Sequence, residues 1–90
     1  MKRARIRVAG LVQGVNFRST VRAYALENGI KGTIRNLPDG SVRIEAGTDE
    51  LTLSQLVTWL RESPGFAKVS DVVVEGRQEI EDLPPFHIIP

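Results

Sequence analysis

Gly10-Leu11-Val12-Gln13-Gly14-Val15-Asn16-Phe17-Arg18 is the stretch from which the rest of the chain is read. Before it, Ala4, Ile6 and Val8 alternate with Arg3, Arg5 and Arg7, the period-two pattern of a half-buried strand. After it, Phe17, Val21, Tyr24 and Ala25 recur at helical spacing. A strand, a loop with two glycines and the opening turn of a helix form a place where backbone N–H groups converge on an anion. The first N–H groups of a helix are unpaired and carry the positive end of its dipole. Gly10 and Gly14 are expected to let the backbone close round a phosphate. Arg18 adds a planar fork that holds two oxygens at once.

The spacing excludes two nucleotide motifs. No Gly-Lys-Ser/Thr closes the loop, and Gly-x-Gly-x-x-Gly does not occur. On spacing alone, a tight strand-to-helix turn with a surface arginine fits as well as an anion site does.

Composition narrows the classes further. A chain of 90 residues implies a single domain, residues 1–90, with one core. At 41% apolar and 26% charged residues, disorder is not expected. Twelve basic against eleven acidic residues leave a net charge of +1, too balanced for bulk attraction to nucleic acid or membrane. The partner must be chosen by a local site. The absence of cysteine excludes disulfides, thiolate metal sites and cysteine nucleophiles. His87 stands alone, without clustered carboxylates, so it reads as structural, and neither a metal nor another cofactor is expected. The basic start, Met1 to Arg5, leads into a strand and not into an apolar signal core, so a cytoplasmic protein is expected. A monomer is also expected.

The first helix should run from Phe17 or Arg18 to Asn28, with Gly29 ending it in the left-handed conformation and Ile30 packing beneath. Gly32 to Asn36 reads as a strand, Leu37-Pro38-Asp39-Gly40 as a turn and Ser41 to Ala46 as the returning strand. A second helix follows, capped by Thr48 or Asp49, with Leu53, Leu56, Val57 and Leu60 on one face and Trp59 beside them. Ser63-Pro64-Gly65 ends it. Val69 to Glu75 is the fourth strand, Gly76 to Leu83 a loop or strand tail, and Phe86 to Ile89 a short last strand. Arg43, Glu45, Asp71 and Glu75 fall where they can face the arginine row as cross-strand charges, which weighs against reading that row as a nucleic-acid surface. Ser19 and Thr20 have no neighbouring base in sequence and read as solvated helix positions.

This order gives an α+β protein: a ferredoxin-like split βαβ sandwich (βαββαβ), with a mainly antiparallel sheet, two helices on one face and a short extra C-terminal strand. Many unrelated activities use this fold, so it does not decide the function.

The loop closely resembles the signature of the acylphosphatases, Gly-x-Val-Gln-Gly-Val-x-Phe/Tyr-Arg, followed by a helix and a Gly-aromatic-x-x-Asn strand. The second element is similar to Gly32-Thr33-Ile34-Arg35-Asn36, and the likeness continues through Asp39-Gly40, Trp59-Leu60 and Ser63-Pro64 to Phe86-His87-Ile88. Thr33 departs from the family's usual aromatic residue, and Asn16 from a position more often apolar, aromatic or glycine. The resemblance implies metal-free hydrolysis of a small-molecule acyl phosphate, with inorganic phosphate as product and no nucleic-acid or membrane partner. It implies Arg18 and Asn36 as catalytic residues, Asn36 orienting the attacking water. It implies phosphate binding by Arg18 with the loop amides of Gln13, Gly14, Val15, Asn16 and Phe17. Taken without the resemblance, Asn36 is a turn residue.

An acyl phosphate suits a chain with no cysteine and no Ser-His-Asp set. Its leaving group is a carboxylate that departs unprotonated, and the phosphoryl passes through a loose transition state that asks little of its nucleophile. Positioning and charge stabilisation then suffice. Two alternatives are a phosphate-binding module without turnover and an RNA-binding domain of the same fold. Against the latter, Ser41 to Ala46 lacks the aromatic residues on which such domains stack bases.

Overall fold

A computed structural model describes residues 1–90. The elements are β1 (Lys2–Leu11), α1 (Phe17–Glu27), β2 (Lys31–Asn36), β3 (Val42–Thr48), α2 (Glu50–Arg61), β4 (Lys68–Glu79) and β5 (His87–Ile88). The five strands form one sheet in the order β4-β1-β3-β2-β5. The β1–β3, β1–β4 and β2–β3 pairs are antiparallel and β2–β5 is parallel, so the sheet is mixed. Two helices pack on it, as the ferredoxin-like reading expects.

Alternation assigns the two faces of the sheet. Ala4, Ile6 and Val8 of β1, Ile34 of β2, Val42, Ile44 and Ala46 of β3 and Val72 of β4 are buried. Against them lie Phe17, Val21 and Ala25 of α1 and Leu53, Leu56, Val57 and Leu60 of α2. Tyr24 and Trp59 join the two helices, their rings stacked with centroids 4.0 Å apart and planes 14° from parallel.

The opposite face carries the alternating charges. Glu45 receives Arg3 at 3.5 Å and Arg5 at 2.9 Å, and Arg7 lies 3.6 Å from Asp39 and 3.7 Å from Glu75. Asp71 does not act as the charge partner expected of it. It lies opposite Ala9, with no arginine in its row.

β4 extends past Glu75 to Glu79, so Gly76 to Glu79 is strand tail and not loop. Arg5 pairs with Gly76 and Ile6 with Val74, leaving Glu75 as an extra residue. This bulge breaks the alternation by which the tail could have been recognised. The polar tail also suits an edge strand, which must discourage pairing with another chain. α1 ends as expected, with the Ile30 N–H donating back to the Ala25 carbonyl at 2.9 Å. Asp49, and not Thr48, caps α2: its carboxylate accepts from the Thr52 N–H at 2.7 Å. His87 lies on β5 with Nδ1 2.9 Å from the Pro85 carbonyl, a local contact with the segment that leads into the strand.

Candidate active site

The end of β1, the start of α1 and the end of β2 enclose a cavity of about 190 Å³. Val12, Gln13, Gly14, Asn16, Phe17, Arg18, Ser19, Asn36 and Ile88 line it. Arg18 and Asn36, eighteen positions apart and on different elements, therefore meet in one pocket. Of the six expected phosphate-binding residues, Val15 alone is not among the lining. Its side chain packs against the core.

The N-terminus of α1 is open. Its N-cap residue, Asn16, adopts the left-handed conformation (φ 63°, ψ 24°), makes no side-chain cap hydrogen bond, and is followed by no acidic residue in the first turn. The carbonyl of Asn16 is occupied instead, accepting from the Thr20 N–H at 3.2 Å and the Thr20 hydroxyl at 3.1 Å. The other helix in the molecule shows the contrast. α2 is capped by the Asp49 carboxylate and carries Glu50 in its first turn, so its positive end is satisfied internally. The first N–H groups of α1 are left for an outside anion.

The left-handed backbone at Asn16 also accounts for the departure noted in the sequence. Glycine and asparagine are the residues that adopt this conformation most readily, so asparagine serves where glycine would.

Arg18 is half-buried and enters none of the ion pairs in the protein. Its guanidinium charge is thus uncompensated beside the open helix end. Asn36 is half-buried as well, and its Oδ1 is buried without a protein donor. A buried carbonyl oxygen of this kind costs free energy unless a hydrogen bond reaches it.

Gln13 has a role that sequence reasoning did not anticipate. Its Nε2 donates to the Leu37 carbonyl at 2.8 Å and to the Ser41 carbonyl at 2.9 Å. Those carbonyls also close the β2–β3 turn, accepting from the Gly40 N–H at 3.2 Å and the Leu37 N–H at 2.8 Å respectively. The side chain of one loop therefore fixes the turn that begins directly after Asn36. Ile88 is a second residue the sequence did not single out. It reaches the cavity because β5 pairs with β2 in parallel, placing Ile88 opposite Ile34 and beside Asn36 on the inner face.

Gly10 does not serve the cradle. It pairs with Val69, and a Cβ there would stand 2.2 Å from the Lys68 carbonyl oxygen, so its function is to let β4 approach β1. Gly14 does lie in the loop lining, with φ 75° and open space where a Cβ would be. No group of three or more His, Cys, Asp or Glu side chains converges anywhere in the protein, and no helix is long and apolar enough to cross a membrane.

Comparison with known proteins bears on the family and the fold. The family model described as Acylphosphatase matches residues 4–88. An acylphosphatase of Geotalea uraniireducens is 40% identical over 96% of this chain and 94% of its own length. One from Archaeoglobus fulgidus is 45% identical over 92% of each. The crystal structure of the acylphosphatase from Bacillus subtilis superposes over 100% of both chains with a TM-score of 0.92 at 34% identity. Because the family model spans nearly the whole chain and these relatives are 40% and 45% identical over more than nine-tenths of it, the chain belongs to the acylphosphatase family.

Proposed function

We propose that the protein hydrolyses small acyl phosphates to a carboxylate and inorganic phosphate, with water attacking phosphorus. The observation that carries this reading is one cavity lined by both Arg18, which forms no ion pair, and Asn36, whose Oδ1 has no donor in the protein.

Arg18 and the amides of the Gln13 to Phe17 loop hold the phosphoryl oxygens. Their charge and dipoles face the group on which negative charge is concentrated, and they are in place before the substrate arrives. Asn36 accepts a hydrogen bond from a water through Oδ1, which turns a lone pair of that water toward phosphorus. The water oxygen then bonds to phosphorus as the bond from phosphorus to the acyl oxygen breaks. The electron pair leaves with the carboxylate. One proton of the water stays on the phosphate and the other passes to solvent. No side chain has to act as a strong base, because the transition state is loose and the leaving group needs no proton.

The same reading takes the chain as one acylphosphatase unit, acting as a cytoplasmic monomer on a small molecule and without nucleic acid or membrane. The near-neutral net charge supports it, since nothing in bulk electrostatics draws the protein to a polyanion. Hydrolysis of benzoyl phosphate in chelator-treated buffer tests the reaction directly. Turnover is expected from the unaltered chain and is expected to be lost in Arg18→Ala. Phosphate binding without turnover by the unaltered chain would overturn the enzymatic reading in favour of a binding module.

A further inference from the structure

The helix-free face of the sheet holds a second place where positive charge is left over. Arg7, Arg43 and Arg35 stand in one row across β1, β3 and β2, each directly opposite the next. Like charges directly opposite one another on a sheet destabilise it unless something neutralises them. Arg7 at one end is neutralised, by Asp39 and Glu75. Arg43 and Arg35 form no ion pair. The buried Nε of Arg43 meets no acceptor, and neither do those of Arg3 and Arg7, but Arg43 alone of the three has no carboxylate partner to offset the cost.

These two arginines open onto a cavity of about 290 Å³, whose other walls are Arg5, Thr33, Glu45 and Ile89. The carboxylate in this wall does not repel an incoming anion at full strength. One oxygen of Glu45 receives Arg5 through Nε at 3.1 Å and Nη2 at 2.9 Å, and the other receives Arg3 at 3.5 Å. The remaining carboxylate of this face, Asp71, is opposite Ala9 on the far strand pair and reaches neither arginine. Thr33 is short, which leaves the cavity unfilled between Arg35 and Glu45. The open face of the sheet is separated from the cavity at the N-terminus of α1 by the sheet itself, because Asn36 and Arg35 are consecutive strand residues and project to opposite faces.

We propose that this pocket is a second oxyanion site, distinct from the catalytic cavity, which takes a phosphate group between the guanidinium forks of Arg35 and Arg43, either as the free ion or as the end of a small monoester. Two guanidinium groups hold a tetrahedral oxyanion by several charge-assisted hydrogen bonds, and a bound dianion removes the repulsion within the arginine row.

Amide NMR titration at constant ionic strength tests this, with inorganic phosphate and glycerol phosphate as separate probes. Two groups of amides are expected to shift independently, one from Gln13 to Arg18 and one at Thr33, Arg35 and Arg43. Arg18→Ala should abolish the first group and keep the second, so the open-face site stands or falls apart from the catalytic reading. Arg43→Met should weaken the second group at least tenfold while benzoyl phosphate turnover and the first group are unchanged, and should raise the melting temperature in phosphate-free buffer of low salt. Thr33→Phe, which fills the cavity without changing charge, should weaken the second group as well. Tighter binding of glycerol phosphate than of the free ion would support an ester as occupant, and the reverse order the ion. Absence of the second group in the unaltered protein, or its persistence in Arg43→Met, would overturn the proposal.

Discussion

The Gln13 side chain donates to the carbonyl of Leu37, the residue that follows Asn36, across 2.8 Å. A second hydrogen bond from the same nitrogen, to the Ser41 carbonyl at 2.9 Å, spans the turn. The loop proposed to hold the anion and the strand end that carries Asn36 are thus parts of one hydrogen-bonded unit. Any shift of the loop moves the asparagine with it.

Replacement of Gln13 is expected to damage both stability and turnover. Gln13→Met leaves two carbonyls without this donor, at a cost of about 1–3 kcal/mol. Gln13→Glu should be worse, since it sets a carboxylate oxygen against two carbonyl oxygens. Urea denaturation and benzoyl phosphate turnover measure the two effects. Equal midpoints for the glutamate variant and the unaltered protein would contradict the clamp.

Asn16 should tolerate glycine and resist branching. With φ at 63°, Asn16→Gly is expected to keep the fold and phosphate binding, whereas Asn16→Val forces a β-branched residue into the left-handed region at about 1–3 kcal/mol. Denaturation midpoints ordered glycine above valine are expected. The reverse order would mean that the loop does not keep this conformation in solution.

Gly10 and Gly14 belong to the same motif but should respond differently. At Gly10 an added methyl meets the Lys68 carbonyl and the Ser70 nitrogen, both backbone, so Gly10→Ala must separate β1 from β4 and is expected to lower the melting temperature strongly. Gly14→Ala meets no atom and carries only the left-handed penalty, about 1–2 kcal/mol. Thermal unfolding of both variants, with phosphate affinity measured alongside, distinguishes a strand-packing glycine from a cradle glycine.

Acid should weaken the turn next to the site. Hydrogen bonds from the Ser41 hydroxyl and Ser41 N–H, with the nearby Arg7 charge, hold the Asp39 carboxyl below its ordinary value of 3.8. A carboxyl whose pKa is lowered on folding contributes stability that is fully present above its unfolded value. That stability is lost as pH falls below about 4 and through the lower folded value. Ser41→Ala is therefore expected to flatten the acid limb of the stability profile and to leave its slope above pH 5 unchanged. An identical acid limb in the variant would remove Asp39 from this account.

Much of the architecture was legible because it is local or periodic. The alternation of Ala4, Ile6 and Val8 with arginines, and the stripe of Leu53, Leu56, Val57 and Leu60, each report a buried face directly. The tail of β4 was legible only as one of two readings, because the bulge at Glu75 and the exposure of an edge strand remove the alternation that marks a strand. At the site, Arg18 and Asn36 were singled out through the motif, and both line one cavity. The Gln13 clamp and the approach of Ile88 were hidden, since both depend on residues more than twenty positions apart meeting through the sheet. Gly10 was misassigned to the cradle because a glycine required by a neighbouring strand looks the same in sequence as one required by a ligand.

The account rests on a division of labour in which Arg18 and the loop bind phosphate while Asn36 aims the water, and Asn36→Ala separates the two. Its kcat for benzoyl phosphate and its Kd for inorganic phosphate should be measured on the same preparation, at one pH and ionic strength. The account predicts a kcat reduced about a hundredfold, from loss of nucleophile positioning, with phosphate affinity nearly unchanged. A kcat equal to that of the unaltered protein, or a loss of phosphate affinity in step with kcat, would contradict it.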